Sequence, residues 1–321
     1  SLTACGGGNA SGNETGDSAP AASTAKLRFV TGGESGTYYA FGSVIAQHAT
    51  NNTNVAVTGL VGNGSKSNVE ELADGNAELA FCQSDVMAYA YNGTNLFENP
   101  IDCFSTVAAL YMEDVQIVTT DPSIKTVADL AGKNVSVGAA GSGVYFNAVD
   151  ILSAYGLGDL DAEGKFTQIN ATYQSFGDSA DSLKDGKIDA AFIVAGAPTT
   201  SITELDATAE FDMISLTPEA VEYLTTNYPF LVQEDLPAGT YPNNIDYDVT
   251  CVAVKAVLVA SEDLSEDFVY ELLTQMFENQ ESMAATQAKF QFLTLENAVA
   301  GVGDVPMHPG AEKFYTEKGV L

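Results

Sequence analysis

The sequence has no tryptophan, two histidines and one arginine, and its 12 Lys+Arg stand against 43 Asp+Glu, a formal charge of −31 over 321 residues. Basic side chains are what hold nucleic-acid phosphates and anionic lipid heads. A chain this acidic is repelled by both, which excludes nucleic acid as a partner. His48 and His308 leave no material for a histidine-rich metal site, and no G-x-S-x-G, H-E-x-x-H or C-x-x-C occurs. The reading is therefore of a non-enzyme with no catalytic residue, metal or cofactor. No apolar run approaches the roughly 20 residues of a membrane span. Cys82, Cys103 and Cys251 stand among apolar neighbours and read as buried free thiols, with a Cys82–Cys103 bridge left open. What the chain does have is 45% hydrophobic residues and 29 glycines, enough for two domains of about 100–200 residues each.

The N-terminus carries its own signal. Leu2-Thr3-Ala4-Cys5 followed by Gly6-Gly7-Gly8 resembles a bacterial lipobox, in which the cysteine receives lipid after cleavage before it. From Gly6 to Ala25 no large apolar residue occurs, and about 20 such residues form a flexible tether reaching ~25 Å on average. Residues 1–26 are expected to be lipobox remnant and tether, with Cys5 as the lipidation site and the protein held on the extracytoplasmic face of a membrane.

Beyond the tether, short β-branched runs alternate with glycine turns and helical periodicity. Strands are expected at Leu27–Val30, Val55–Thr58, Glu78–Cys82, Val107–Tyr111, Val115–Thr120 and from Lys133, with helices over Thr37–Ala49, Ser65–Leu72 and from Ser84. This alternation predicts an α/β protein with a mostly parallel sheet covered on both faces. The chain also repeats itself. Ser35-Gly36-Thr37-Tyr38-Tyr39 recurs as Ser142-Gly143-Val144-Tyr145-Phe146, and Gly75–Phe81 recurs as Gly186–Phe192, at nearly the same offset. Two concordant matches predict two similar lobes. The strand-like crossings Val115–Thr120 and Thr250–Val259 place lobe 1 at 27–120 plus 250–321 and lobe 2 at 121–249.

Each lobe has a strand, a Gly-Ser-Gly turn and a helix start, where unpaired N–H groups and the helix dipole favour a carboxylate or phosphate. Gly36, Thr37 and Tyr38 in one turn face Gly141, Ser142, Gly143 and Val144 in the other on this reading. Gly64-Ser65-Lys66-Ser67-Asn68 and Gln83-Ser84-Asp85 end at the same sheet edge, adding Ser65, Asn68, Gln83, Ser84 and Asp85 as ligand-contact candidates. Capping of helices by Ser and Asp is the competing explanation for each. Glu113-Asp114 and Glu262-Asp263 read as solvated loop edges, and His308 as structural. Arg28 lies inside the first strand, so no arginine clamp is expected on an anionic ligand. Asp85 or Glu34 is the candidate partner for an ammonium group.

Val30-Thr31-Gly32-Gly33-Glu34-Ser35-Gly36-Thr37-Tyr38-Tyr39 resembles the opening signature of TAXI-type solute-binding proteins of TRAP transporters. So do Gly64-Ser65 with Asn68, Gln83-Ser84-Asp85, Val127–Lys133, Gly141-Ser142-Gly143, Asp185–Phe192, Ala195-Gly196-Ala197-Pro198, Pro237–Tyr241 and His308–Glu312, all in order from about Leu27 to Gly319. Glu34 and Ser35 replace small residues usual in the first loop, Ala40 stands where proline is common, and Val144 where threonine is. The resemblance implies a two-lobed type II periplasmic-binding-protein fold with a ligand cleft between the lobes. It further implies an extracytoplasmic receptor, expected as a monomer, that passes a glutamate-like amino acid or a dicarboxylate to TRAP permease subunits. Gly196 joins the ligand-binding set through this resemblance. A surface sensor of the same fold, or an enzyme on a two-lobed scaffold, is the alternative.

Overall fold

The computed structural model describes residues 25–321, so Cys5 and nearly all of the tether lie outside the described residues. The strands are β1 (Ala25–Val30), β2 (Val55–Leu60), β3 (Leu79–Gln83), β4 (Phe104–Thr119), β5 (Asn134–Ser136), β6 (Asn170–Thr172), β7 (Ala190–Ala195), β8 (Asp212–Met213), β9 (Val232–Leu236) and β10 (Val249–Ser261). The helices are α1 (Thr37–Asn52), α2 (Ser65–Ala73), α3 (Ser84–Asn92), α4 (Val144–Ala154), α5 (Phe176–Lys184), α6 (Thr200–Thr208), α7 (Pro218–Asn227), α8 (Glu266–Glu278), α9 (Gln280–Thr286), α10 (Leu295–Val299) and α11 (Pro309–Glu317).

The main path of strands runs β2-β1-β3-β10-β4-β7-β5-β6, with β8 against β4 and β9 against β10. Its two ends are built alike: β2-β1-β3 and β6-β5-β7 are each parallel, as βα units require. The sequence repeat explains the likeness. Gly75 and Gly186 both take a left-handed φ, 74° and 69°. The acid three residues on, Glu78 or Asp189, donates its N–H to the carbonyl of Arg28 or Asn134 and accepts that residue's N–H on its carboxylate. The same turn thus docks β3 on β1 and β7 on β5.

Two expectations are corrected. The sheet is mixed, since β4 and β10 pair antiparallel with each other and with every other strand they adjoin. And the two strands expected around Glu113-Asp114 are one 16-residue strand, β4, because those acids are buried, 2% and 0% exposed, rather than at a loop edge. The lobes are consequently halves of one connected sheet. β4 pairs with β10 up to Asp114 and with β7 from Asp114 onward, while β10 leaves β9 for β4 at Ala253. The partner change thus falls in mid-strand.

The lobe 1 core is aromatic. Phe41 on α1 stacks on Phe290 at 3.7 Å and packs near Phe81 and Tyr111. The C-terminal segment returns to this lobe: His308 N donates to Thr106 O, and Tyr315 Oη donates to Val107 O at 2.6 Å. His308 caps α11 through Nδ1, which accepts from Gly310 N, a structural role. Cys82 and Cys251 are buried free thiols, whereas Cys103 is only half-buried, and no disulfide joins it to Cys82. No described helix is long and apolar enough to cross a membrane.

Candidate functional site

Where the two halves face each other they enclose a cavity of about 450 Å³. Lobe 1 supplies the Gly32–Tyr38 turn, the Val61–Ser65 turn, Gln83 at the end of β3 and Glu113 on β4; lobe 2 supplies Ser142–Val144, Ser175–Asp178, Lys184 and Glu204. Open α/β sheets present ligands to just such strand ends and helix starts. Helices α1, α2 and α4 begin here behind the glycines Gly36, Gly64 and Gly143, which offer no capping side chain. Ser67 N on α2 and Phe146 N on α4 are taken by Gly141 O and Gly143 O, but the N–H groups of the first two residues of each helix have no partner among the described residues and remain available to an anion.

Of the residues singled out from the sequence, Gly36, Thr37, Tyr38, Ser65, Gln83, Ser142, Gly143 and Val144 line the cavity, as does Glu34, which is exposed. Asn68, Ser84, Asp85, Gly141 and Gly196 do not line it, and each has another task. Asn68 donates from Nδ2 to Thr31 O and Phe81 O, tying α2 to β1 and β3. Ser84 Oγ accepts from Lys255 N on β10. Gly141 O accepts from Ser67 N, and Gly196 O accepts from Thr37 Oγ1 at 2.8 Å, so both carbonyls join lobe 2 to lobe 1. Asp85 accepts from Val86 N and Gln83 Nε2 on Oδ1 and from Asn147 Nδ2 on Oδ2. With both oxygens so committed, Asp85 is not placed to hold a ligand ammonium. Burial pushes its carboxyl up to about 6, against the opposing pull of these hydrogen bonds.

Gln83 and Asp85 thus form an interlobe latch with Asn147 of α4, whose Oδ1 accepts from Gln83 Nε2 at 2.7 Å. Ser201 N also crosses the cleft, donating to Ser35 O. The halves are in contact around the cavity.

Inside the wall, hydrogen bonds run in sequence. Gln83 N donates to Ser65 Oγ at 3.0 Å, Ser65 Oγ lies 3.2 Å from Tyr38 Oη, and Tyr38 Oη donates to Glu113 Oε2 at 2.7 Å. The Tyr38 ring stacks on Phe81 at 4.6 Å, which fixes its hydroxyl. Ser142 differs: its Oγ is buried with no partner among the described residues, although the side chain borders the cavity. An unpaired buried hydroxyl costs about 1–3 kcal/mol unless something binds it.

The sequence did not point to Glu113, Asn147, Ser175 or Phe176. The one available signal was Ser175-x-x-Asp178, a helix-start pattern, and Ser175 Oγ does accept from Asp178 N. Arg28 is exposed and paired with Glu78 at 2.8 Å, away from the cavity. Among the described residues, Lys184 is the one basic side chain in the wall, beside Glu34, Glu113, Asp178, Asp181 and Glu204.

Two α/β halves joined by long shared strands, with a cavity between them at helix N-termini, define the type II periplasmic solute-binding fold. Comparison with known proteins agrees. The chain belongs to the NMT1-like family, whose model matches residues 29–319. It is similar to the alkanesulfonate-binding protein SsuA from Xanthomonas axonopodis pv. citri bound to MOPS, with 14% identity and a TM-score of 0.51, covering 92% of this chain and 85% of that one. It is also similar to a periplasmic transporter, with 15% identity and a TM-score of 0.56, covering 92% and 93%. At this identity the likeness is one of fold.

Proposed function

We propose that the protein is an extracytoplasmic solute-binding protein, lipid-anchored through Cys5, that captures a small carboxylate-bearing solute and delivers it to TRAP-type permease subunits. The solute class is a glutamate-like amino acid or a dicarboxylate. The carrying observation is Ser142: a buried, unpartnered hydroxyl at the mouth of α4, beside helix starts whose free N–H groups suit a carboxylate. The ordered motifs shared with TAXI-type receptors support the permease partner, and Leu2-Thr3-Ala4-Cys5 supports the anchor.

Mass spectrometry of the small molecule that co-purifies tests the solute class, and calorimetry with that molecule tests the site. Losing one hydrogen bond to a charged group costs ~1.5–3 kcal/mol, so Ser142→Ala weakens binding roughly ten- to a hundred-fold with little change in melting temperature. Unchanged affinity places the solute elsewhere. Cys5→Ser in the precursor abolishes membrane partition; an unaltered membrane fraction refutes the anchor.

A further inference from the structure

Among the described residues, Glu113 is the one deeply buried carboxyl in the cavity wall, 2% exposed. It sits on β4 immediately before the residue at which that strand changes partner, opposite Val254 of β10. Side chains alternate across a strand, so Glu113 and Asp114 leave on opposite faces, Glu113 toward the cavity. Among the described residues its carboxyl receives one hydrogen bond, from Tyr38 Oη. No ion pair includes it, and Lys184, the basic residue of the wall, lies 4.0 Å from Asp181. The groups acting on it are Tyr38 from α1, Cys82 from β3, Asp85 from α3, and Tyr111 and Asp114 from its own strand, all acidic or neutral. Burying a charged carboxylate is costly unless it is paired, and here the described residues supply a hydroxyl but no cation. The remaining wall is acidic as well. A solute with two negative charges meets repulsion from it, whereas a zwitterion places its carboxylate at the helix starts and a cation where the acids are.

We propose that Glu113 is the residue by which this cleft selects solutes that carry an ammonium group. The proposal rests on the reading of the cavity as a site for carboxylate-bearing solutes and narrows it to those that are also amines. Burial, with Asp85 and Asp114 nearby and the Tyr38 hydrogen bond opposing, holds the Glu113 carboxyl well above the usual range, which favours its protonated form. An ammonium seated against it reverses the balance. The Glu113 O–H bond breaks, its electron pair stays on the oxygen as a carboxylate paired with the ammonium, and the proton passes to solvent. One proton is released for each amine bound, and a solute without an amine leaves that proton in place.

Calorimetry on the full chain at pH 7 decides this, using L-glutamate against glutarate and other amino acids against their amine-free counterparts. Each titration is run in phosphate and in Tris, whose ionisation heats differ. The amino acid binds at least about thirty-fold more tightly than its counterpart, the factor set by loss of one partner of a buried charge pair. Its heat differs between buffers by one proton's worth, while the counterpart's does not. In Glu113→Gln the preference collapses and the buffer dependence disappears. The buffer comparison on the unaltered chain settles the matter even if that variant does not fold. Equal affinity for the pair, or amine binding without proton release, overturns the role of Glu113 and leaves solute capture standing. Binding of no pair overturns both.

Discussion

Asp150 on α4 is 5% exposed, and its Oδ2 has no partner among the described residues. Burial, and secondarily the charge of Asp85, pushes it up to about 8 from an ordinary 3.8. A carboxyl raised in the folded state binds protons that the unfolded chain has already lost. Its full stability is therefore present below the unfolded value and drains away as pH rises toward the folded one. Asp150→Asn removes this loss. We expect the variant to match the native protein near pH 4 and to gain on it, by up to about 1.4 kcal/mol per pH unit, until the advantage levels off near pH 8. Thermal melts across that range check it, and a gain that is the same at every pH refutes it. At this scale the sequence was legible where chemistry sits in a turn: Ser142 stands between two glycines and Thr37 directly follows one. It was silent where chemistry sits inside an element. Asn147 looks like any polar helix residue, and Glu113 reads as half of a solvated acid pair until the strand that buries it is known.

Gly64 shows what an element boundary contributes. It precedes α2 with φ 105°, and a Cβ there would lie 2.8 Å from Ser142 Cα across the cleft. The obstacle is backbone, which cannot swing aside as a side chain can. Gly64→Ala thus strains its own turn and holds the halves apart. We expect at least about ten-fold weaker solute binding, roughly 1.4 kcal/mol, together with a larger radius of gyration by small-angle scattering. An unchanged radius would show that the turn yields instead. The helices α1, α2 and α3 start where the sequence places them, because glycine and polar turn residues punctuate an apolar rhythm. The continuity of β4 was not legible, since Glu113 and Asp114 break its apolar run with no local sign that the tertiary fold covers them. The parallel ends of the sheet follow from βα repetition, whereas the antiparallel pairing of β4 with β10 brings together residues far apart in the chain, which local pattern cannot reveal.

Over the whole molecule, the excess of 43 acids over 12 bases, a net charge of −31, is self-repulsive in the compact state. Salt shortens that repulsion to a Debye length of about 8 Å at 0.15 M. Raising NaCl from 20 to 500 mM is expected to lift the melting temperature by about 2–4 °C, the equivalent of about 1 kcal/mol; a flat or falling curve would show that local ion pairs outweigh the global term. The internal repeat made the two-lobed plan readable, while the mid-strand change of partner at Asp114 and Ala253 was not. The bonds that join the lobes, Ser67 N to Gly141 O, Ser201 N to Ser35 O, Thr37 Oγ1 to Gly196 O and the Gln83–Asn147 latch, all run between protein atoms. None needs a passenger to form. A carrier that recognises only the outline of the shut receptor would meet two look-alikes, one loaded and one vacant, and the vacant one would waste its encounters. On the proposed role of Glu113 the two differ in cost. Closing over a buried carboxyl that has no cation is uphill, because it must either lose its hydration or hold its proton; closing over one matched by an ammonium is less so, and the cargo thereby shifts the population toward the shut form.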